Sequence, residues 1–160
     1  STAQHQQLIH TALENVKRVT GFCGRWEVIS HNPLVVCETA HNADGVHAML
    51  QKLNEVQYDK LHLIYGCVSD KDFSKILQML PQNAQYYYTQ PSVPRALPAA
   101  DLAATASQLG MAAPYYPNIG QAYQMASKQA SPTDMILITG SIFLVADALK
   151  YFKQYSLISQ

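Results

Sequence analysis

Four short polar clusters carry groups able to handle an anionic, hydroxyl-bearing ligand: Glu38-Thr39-Ala40-His41-Asn42, Ser69-Asp70-Lys71-Asp72, Pro94-Arg95 and Thr139-Gly140-Ser141, with Arg25 upstream of the first. A carboxylate such as Glu38 can accept hydrogen bonds from ribose hydroxyls, and a guanidinium such as Arg25 can grip phosphate oxygens through two parallel N–H groups. A carboxylate, a histidine, a lysine and two arginines are more than helix capping requires, so a nucleotide-handling site is the natural reading. Plainer roles exist for the same residues. Asn42 and Ser141 could be ordinary helix N-caps, and Asp70 and Asp72 turn and cap residues. No GxxxxGK[ST] loop is present and no GxGxxG follows a strand, so the chain is not expected to cradle a triphosphate by itself.

Other chemistries find less support. His41 and His47 do not share a helix face or a third ligand, and His5 and His10 fall in the leading helix, so no metal site is expected. Ser141 lacks a GxSxG context and no cysteine has an evident histidine partner, which argues against hydrolysis by a nucleophile.

For those clusters to meet, the chain must place them at one sheet edge, and its hydrophobic periodicity suggests that it does. Leu8, Ala12, Leu13, Val16 and Val19 recur at helical spacing over Thr2 to Thr20, and Gly21 ends that helix. Arg25–Ser30 and Leu34–Thr39 read as strands joined by a tight Asn32-Pro33 turn, hence an antiparallel hairpin. The second run, with its continuous LVVC, suits an inner strand, and the first suits an edge. Alternation follows: helix 42–54, strand 61–65, helix 72–80, a tyrosine-rich strand 85–89, a proline-marked loop, helix 99–109, a short strand near 113–116, helix 119–130, strand 135–139 and helix 142–152. Parallel neighbours need a crossover, usually a helix, so the expected fold is α/β: a Rossmann-like three-layer α/β/α sandwich. Its sheet should have about six strands, mostly parallel, with one antiparallel edge strand. In such sheets ligands bind beyond the carboxyl ends of the strands, where the four clusters fall.

The totals narrow the partners. A length of 160 residues suits one domain with a sizeable core. Eleven basic and eleven acidic residues cancel, so no overall field steers the chain to nucleic acid or to an anionic membrane. Charged residues make up 14%, against roughly 25% in average domains, which leaves a largely neutral polar surface. No apolar run approaches the ~20 residues of a membrane span, and the N-terminus lacks a signal-peptide pattern. The three cysteines, Cys23, Cys37 and Cys67, form no CxxC pair and read as reduced thiols of a cytoplasmic protein. Residue 1 is Ser rather than Met, which suggests a processed chain or an excised piece.

GRWEVI from Gly24, ETAHNADG from Glu38, YGCVSDKD from Tyr65, PSVPRA from Pro91 and LITGSIFLVADAL from Leu137 occur in the order seen in folylpolyglutamate synthases and dihydrofolate synthases. The chain resembles the C-terminal domain of these Mur-ligase-type enzymes over nearly its whole length. Residues 23–160 correspond to that domain, and 1–22 to the helix and linker leaving the family's central domain. The resemblance implies an ATP-dependent ligase that activates a carboxylate of folate or dihydropteroate as an acyl phosphate and joins it to L-glutamate. It also implies that the P-loop, the Mg2+ ligands and most of the pterin site belong to the central domain, so that this chain alone is inactive.

By motif, Arg25 resembles the arginine that reaches the ATP phosphates, and Glu38 stands where the family has a nucleotide-contacting aspartate, one methylene shorter. His41 resembles the catalytic histidine near the ATP and glutamate sites, and Asn42 the residue that opens the next helix at the nucleotide. Ser141 resembles a contact for incoming glutamate, while Asp70, Lys71, Asp72 and Arg95 match motifs on the substrate side without a defined role. The competing readings are a non-catalytic Rossmann-like module that binds a nucleotide or a protein, and the C-terminal domain of another Mur-type amino-acid ligase.

Overall fold

Alternation of apolar residues within each strand decides which helices cover which face of the sheet. In the computed structural model, which describes residues 2–4, 7, 11, 24–70 and 72–155, the strands are β1 (Glu27–Ser30), β2 (Leu34–Glu38), β3 (Leu61–Gly66), β4 (Gln85–Tyr88) and β5 (Met135–Gly140). The helices are α1 (Ala43–Glu55), α2 (Phe73–Met79), α3 (Ala99–Gln108), α4 (Ile119–Gln129) and α5 (Ile142–Gln154). Val36, Leu63 and Leu137 point to one face, where Met49, Leu77 and Leu102 of α1, α2 and α3 pack on them. Val35, Ile64 and Ile136 point to the other, against Ala122 of α4 and Leu144 and Phe152 of α5. This two-residue period gives each strand two buried faces and the domain its three layers.

The sheet order is β1-β2-β5-β3-β4, with β1 antiparallel to β2 and every other neighbouring pair parallel. β3 and β5 are buried throughout, as central strands of a doubly covered sheet must be. The fold class and the antiparallel edge strand agree with expectation, but the sheet has five strands, not six. The segment expected as a sixth strand makes a single parallel bridge, Tyr115 to Tyr88. Pro114 and Pro117 flank that bridge and have no N–H to donate, so no ladder can extend from it. β1 also starts at Glu27 rather than Arg25, because Gly24 (φ +76°) and Trp26 (φ +44°) hold the chain out of the extended region. Most of the expected leading helix, Thr2 to Thr20, lies outside the described residues, as do Cys23 and Lys71. Thr2–Gln4, Gln7 and Thr11 are helical.

At the amino-terminal edge of the sheet, away from the polar clusters, sits a buried network. His62, 1% exposed, meets the Tyr87 hydroxyl at 2.9 Å through Nδ1 and the Asp134 carboxylate at 2.9 Å through Nε2. Asp134 also accepts the backbone N–H groups of Ser131 (3.0 Å) and Lys60 (3.2 Å). Burial pushes this carboxyl up, but the bonds from His62, Ser131 and Lys60 outweigh it and bring it down to about 2. A carboxyl held below its unfolded value stabilises the fold above that value and loses the contribution as pH falls. Urea unfolding of this chain should therefore show stability declining between about pH 4 and pH 2. Asp134→Ala should lose that slope and destabilise the chain at pH 7, at about 1–3 kcal/mol for each buried donor it leaves unpaired.

Candidate functional site

The carboxyl ends of β2, β5 and β3 lie side by side, with Glu38 paired to Thr139 and Gly66 to Gly140. The loop after β2 runs directly into α1. There the Asn42 side chain accepts the Gly45 N–H at 2.8 Å, so Asn42 is the helix N-cap. After β5, the Ser141 hydroxyl accepts the Phe143 N–H at 3.0 Å and caps α5, while the Ser141 N–H donates to the Gly66 carbonyl at 2.9 Å. The N-cap readings of both residues are thus realised. Because both caps sit at one sheet edge, two helix N-termini open onto the same space, where their unpaired N–H groups favour negative charge.

That space is a cavity of about 560 Å³, lined by His41, Asn42, Asp70, Asp72 and Ser141 of the sequence-predicted residues. His41 is exposed in the loop between β2 and α1. Asp70 accepts the Asp72 N–H at 3.0 Å through its side chain and the Phe73 N–H at 3.3 Å through its carbonyl, which makes it a turn residue. Asp72 precedes α2 without a side-chain capping bond and faces Lys75, with Nζ 3.7 Å from its Oδ1. Both side chains are largely exposed, so this pair adds little stability.

Arg95, Arg25 and Glu38 stand outside the cavity. Arg95 is exposed on the proline-marked loop, whose backbone abuts the loop after β3: the Ser69 N–H donates to the Arg95 carbonyl at 2.8 Å, and Val68 bridges Ala96. Asp147 of α5 fixes that loop by accepting the Ser92 N–H at 2.7 Å and the Ser92 hydroxyl at 2.8 Å. Arg25 is exposed in the turn before β1. Glu38 is buried at the end of β2, where its carboxylate accepts the Trp26 N–H. Burial raises the Glu38 carboxyl, against the opposing pull of that N–H and of Lys52 and Arg25.

Sequence reasoning missed the apolar wall of the cavity. Tyr65, Phe73, Ile76, Met79 and Phe143 line it, and Lys75 stands with them. Phe73, Ile76 and Met79 recur every three residues on α2 and are only partly buried, beside the fully buried Leu77. A helix stripe of that kind reads as core in a sequence, and only its incomplete burial reveals a pocket wall. Cys67, also on the wall, is raised to about 12 by burial, and Cys37 is pushed up likewise, so neither is a thiolate nucleophile near neutral pH. Among the described residues no three His, Cys, Asp or Glu side chains converge to hold a metal ion, and no helix is long and apolar enough to cross a membrane.

The profile of the Mur ligase, glutamate ligase domain matches residues 24–142, a span that includes both caps and every strand. A probable bifunctional folylpolyglutamate synthase/dihydropteroate synthase of Haloferax volcanii is 32% identical over 143 residues, covering 89% of this chain and 17% of that protein. The folylpolyglutamate synthase of Lacticaseibacillus casei is 31% identical over 127 residues, covering 76% of this chain and 28% of that protein. Among solved structures, a bifunctional folylpolyglutamate synthase/dihydrofolate synthase from Yersinia pestis, complexed with AMPPNP and Mn ion, aligns with a TM-score of 0.73 at 27% identity. That alignment covers 81% of this chain and 31% of the other. The chain therefore spans less than a third of the length of each of these relatives.

Proposed function

We propose, from the premise that this chain belongs to the Mur ligase glutamate-ligase-domain family, that it acts as the C-terminal domain of an ATP-dependent ligase adding L-glutamate to folate or dihydropteroate. The observation that carries the proposal is the convergence of His41, Asn42 and Ser141 on one cavity at the strand carboxyl ends, within the matched span. On this reading residues 23–160 form the closing domain. Residues 1–22 lead from a central domain that contributes the P-loop and the ligands of the Mg2+ accompanying ATP. The AMPPNP and Mn ion of the Yersinia pestis relative suit that use of nucleotide and divalent metal.

The chemistry divides into two displacements. A carboxylate oxygen of the pterin substrate attacks the terminal phosphorus of ATP, releasing ADP. The glutamate nitrogen then attacks the acyl carbon and expels phosphate. Arg25 reaches the ATP phosphates when the domain closes, supplying a planar donor pair to the developing phosphoryl charge. His41, at the cavity mouth, serves the junction between nucleotide and glutamate as the catalytic residue. Asn42 orders the loop that carries it. Ser141 and the α5 N-terminus receive the glutamate carboxylate, with Asp70, Lys71, Asp72 and Arg95 shaping the substrate side. No step assigned to this chain passes through a metal. A cytoplasmic setting, where ATP and glutamate abound, accords with the two buried free thiols.

Calorimetry on the isolated chain tests the division of labour. One or two charge-assisted contacts contribute only ~1.5–3 kcal/mol each, from which the cost of association must be subtracted, so ATP should bind in the millimolar range or more weakly. Micromolar affinity, worth about 8 kcal/mol, would place a complete nucleotide site in this chain and favour a self-sufficient binding module.

A further inference from the structure

Arg25 is mounted on an unusual turn. It lies between Gly24 at φ +76° and Trp26 at φ +44°. Glycine adopts such a conformation freely, but a residue as bulky as tryptophan persists there only when its surroundings hold it. Three interactions do so, from the end of β2, the residue after it and α1. The Glu38 carboxylate accepts the Trp26 N–H, the Thr39 N–H donates to the Gly24 carbonyl at 2.8 Å, and Lys52 of α1 stands with Nζ 5.4 Å from the indole centroid. Gly24, Arg25 and Trp26 are thus stapled on both sides of the arginine to the last residue of β2 and the one after it.

Glu38 is 9% exposed, its carboxylate is engaged by the Trp26 N–H, and its backbone carbonyl accepts the Thr139 hydroxyl at 2.6 Å. A carboxylate buried and turned to the Trp26 N–H, outside the cavity lining, is badly placed to reach a nucleotide. It is well placed to fix a turn, and its extra methylene relative to aspartate gives it the reach to span from β2 to the entry of β1.

We infer that Glu38 is a positioning residue: it locks the Gly24–Trp26 turn so that Arg25 is presented to the phosphates, instead of touching the nucleotide itself. The inference rests on the ligase reading above for its kinetic consequences, while the turn-locking stands on this chain alone. A residue acting through Arg25 must lose its effect when Arg25 is absent.

The test is a double-mutant cycle in the parent enzyme, with kcat and KM for ATP measured for Glu38→Ala, Glu38→Asp and Glu38→Gln, each alone and with Arg25→Ala. Glu38→Ala and Glu38→Asp should lower kcat by ~10-fold or more, on the scale of small misplacements of a catalytic group, with little change in KM. Glu38→Gln keeps an oxygen to accept the Trp26 N–H and should retain most of kcat. On the Arg25→Ala background, Glu38→Ala should change kcat by less than about twofold, as expected for residues acting as one unit. Independent multiplication of the two effects, a normal kcat in Glu38→Asp, or a rise in KM for ATP with kcat unchanged would overturn the inference.

Trp26 is the only tryptophan in this chain, so its emission reports the turn without any ligase activity. Glu38→Ala and Glu38→Asp should shift that emission and Glu38→Gln should not. Unshifted emission in the first two overturns the inference even if the parent enzyme proves not to be a ligase, whereas a parent without ligation but with shifted emission sinks only the functional reading.

Discussion

On the proposed ligase reading, replacing Arg25 by alanine in the full-length protein should lower kcat by ~10²-fold or more, the usual loss when one preorganised stabiliser of developing charge is removed. The melting temperature should barely move. Arg25 is exposed, so its truncation opens no cavity; the buried Glu38 carboxylate loses one favourable charge but keeps the Trp26 N–H and Lys52, and the turn is fixed by Glu38 and Thr39 through the backbone of Arg25's neighbours. Arg25→Lys should restore little, because an ammonium on a flexible stem lacks the planar fork that holds two phosphate oxygens at once. Steady-state kinetics and thermal melts on the same preparations distinguish the outcomes. Near-normal turnover in Arg25→Ala, or a large fall in melting temperature as its main effect, would make Arg25 a structural residue and remove the support for recruitment by closure.

The second large effect belongs to the fold. Gly140→Ala should destabilise this chain by roughly 3 kcal/mol or more, since it combines strained backbone with overpacking. A Cβ at Gly140 would stand 2.1 Å from the Gly66 carbonyl oxygen, which is backbone on the adjacent strand and cannot step aside. Gly140 also has φ +123°, a region that side chains disfavour. Gly110→Ala provides the comparison: φ is +77° there, but nothing lies within 4 Å of the added carbon. Its cost should be about 1 kcal/mol, from backbone strain alone. Urea unfolding of the two variants isolates the clash as the difference. If Gly140→Ala is no worse than Gly110→Ala, β3 and β5 are not as closely apposed at their ends as described.

The same contact matters for function. The Gly66 carbonyl also accepts the Ser141 N–H, so pushing Gly66 away would displace the cap of α5 and with it the wall of the cavity. The close approach of the two glycines is what lets β3 and β5 end side by side at the site.

How far the sequence carried this picture depends on what each residue type can signal. The runs LVVC, LHLIYG and MILITG have too few polar residues for a half-exposed strand, and all three became inner strands. Their parallel arrangement requires the following loops to converge, which brings His41, Asn42, Asp70, Asp72 and Ser141 onto one cavity, while Glu38 and Arg95 of the same clusters stand outside it. Around Tyr115 the tyrosines favour a strand, but the two flanking prolines forbid a ladder, and the fold keeps only the single bridge to Tyr88.

Glu38 and Arg25 show a deeper limit. A sequence displays a carboxylate beside a polar loop, but not that a distant backbone N–H will occupy it. That bond exists only because Trp26 takes a left-handed conformation, which nothing in the tryptophan itself foretells. The apolar wall made by Phe73, Ile76 and Met79 was hidden for a similar reason. Helical spacing shows that a stripe exists but not whether another helix or a ligand covers it.

The most direct test of the whole account is a ligation assay on the full-length protein, supplying ATP and L-glutamate with dihydropteroate or a reduced folate and following the glutamylated pterin and ADP together. Glutamylated product should form with at least one pterin substrate, in equal amount with ADP and dependent on ATP. Residues 1–160 alone should give no product. Failure of the full-length protein to glutamylate any of these substrates, or ligation by the isolated chain, would contradict it.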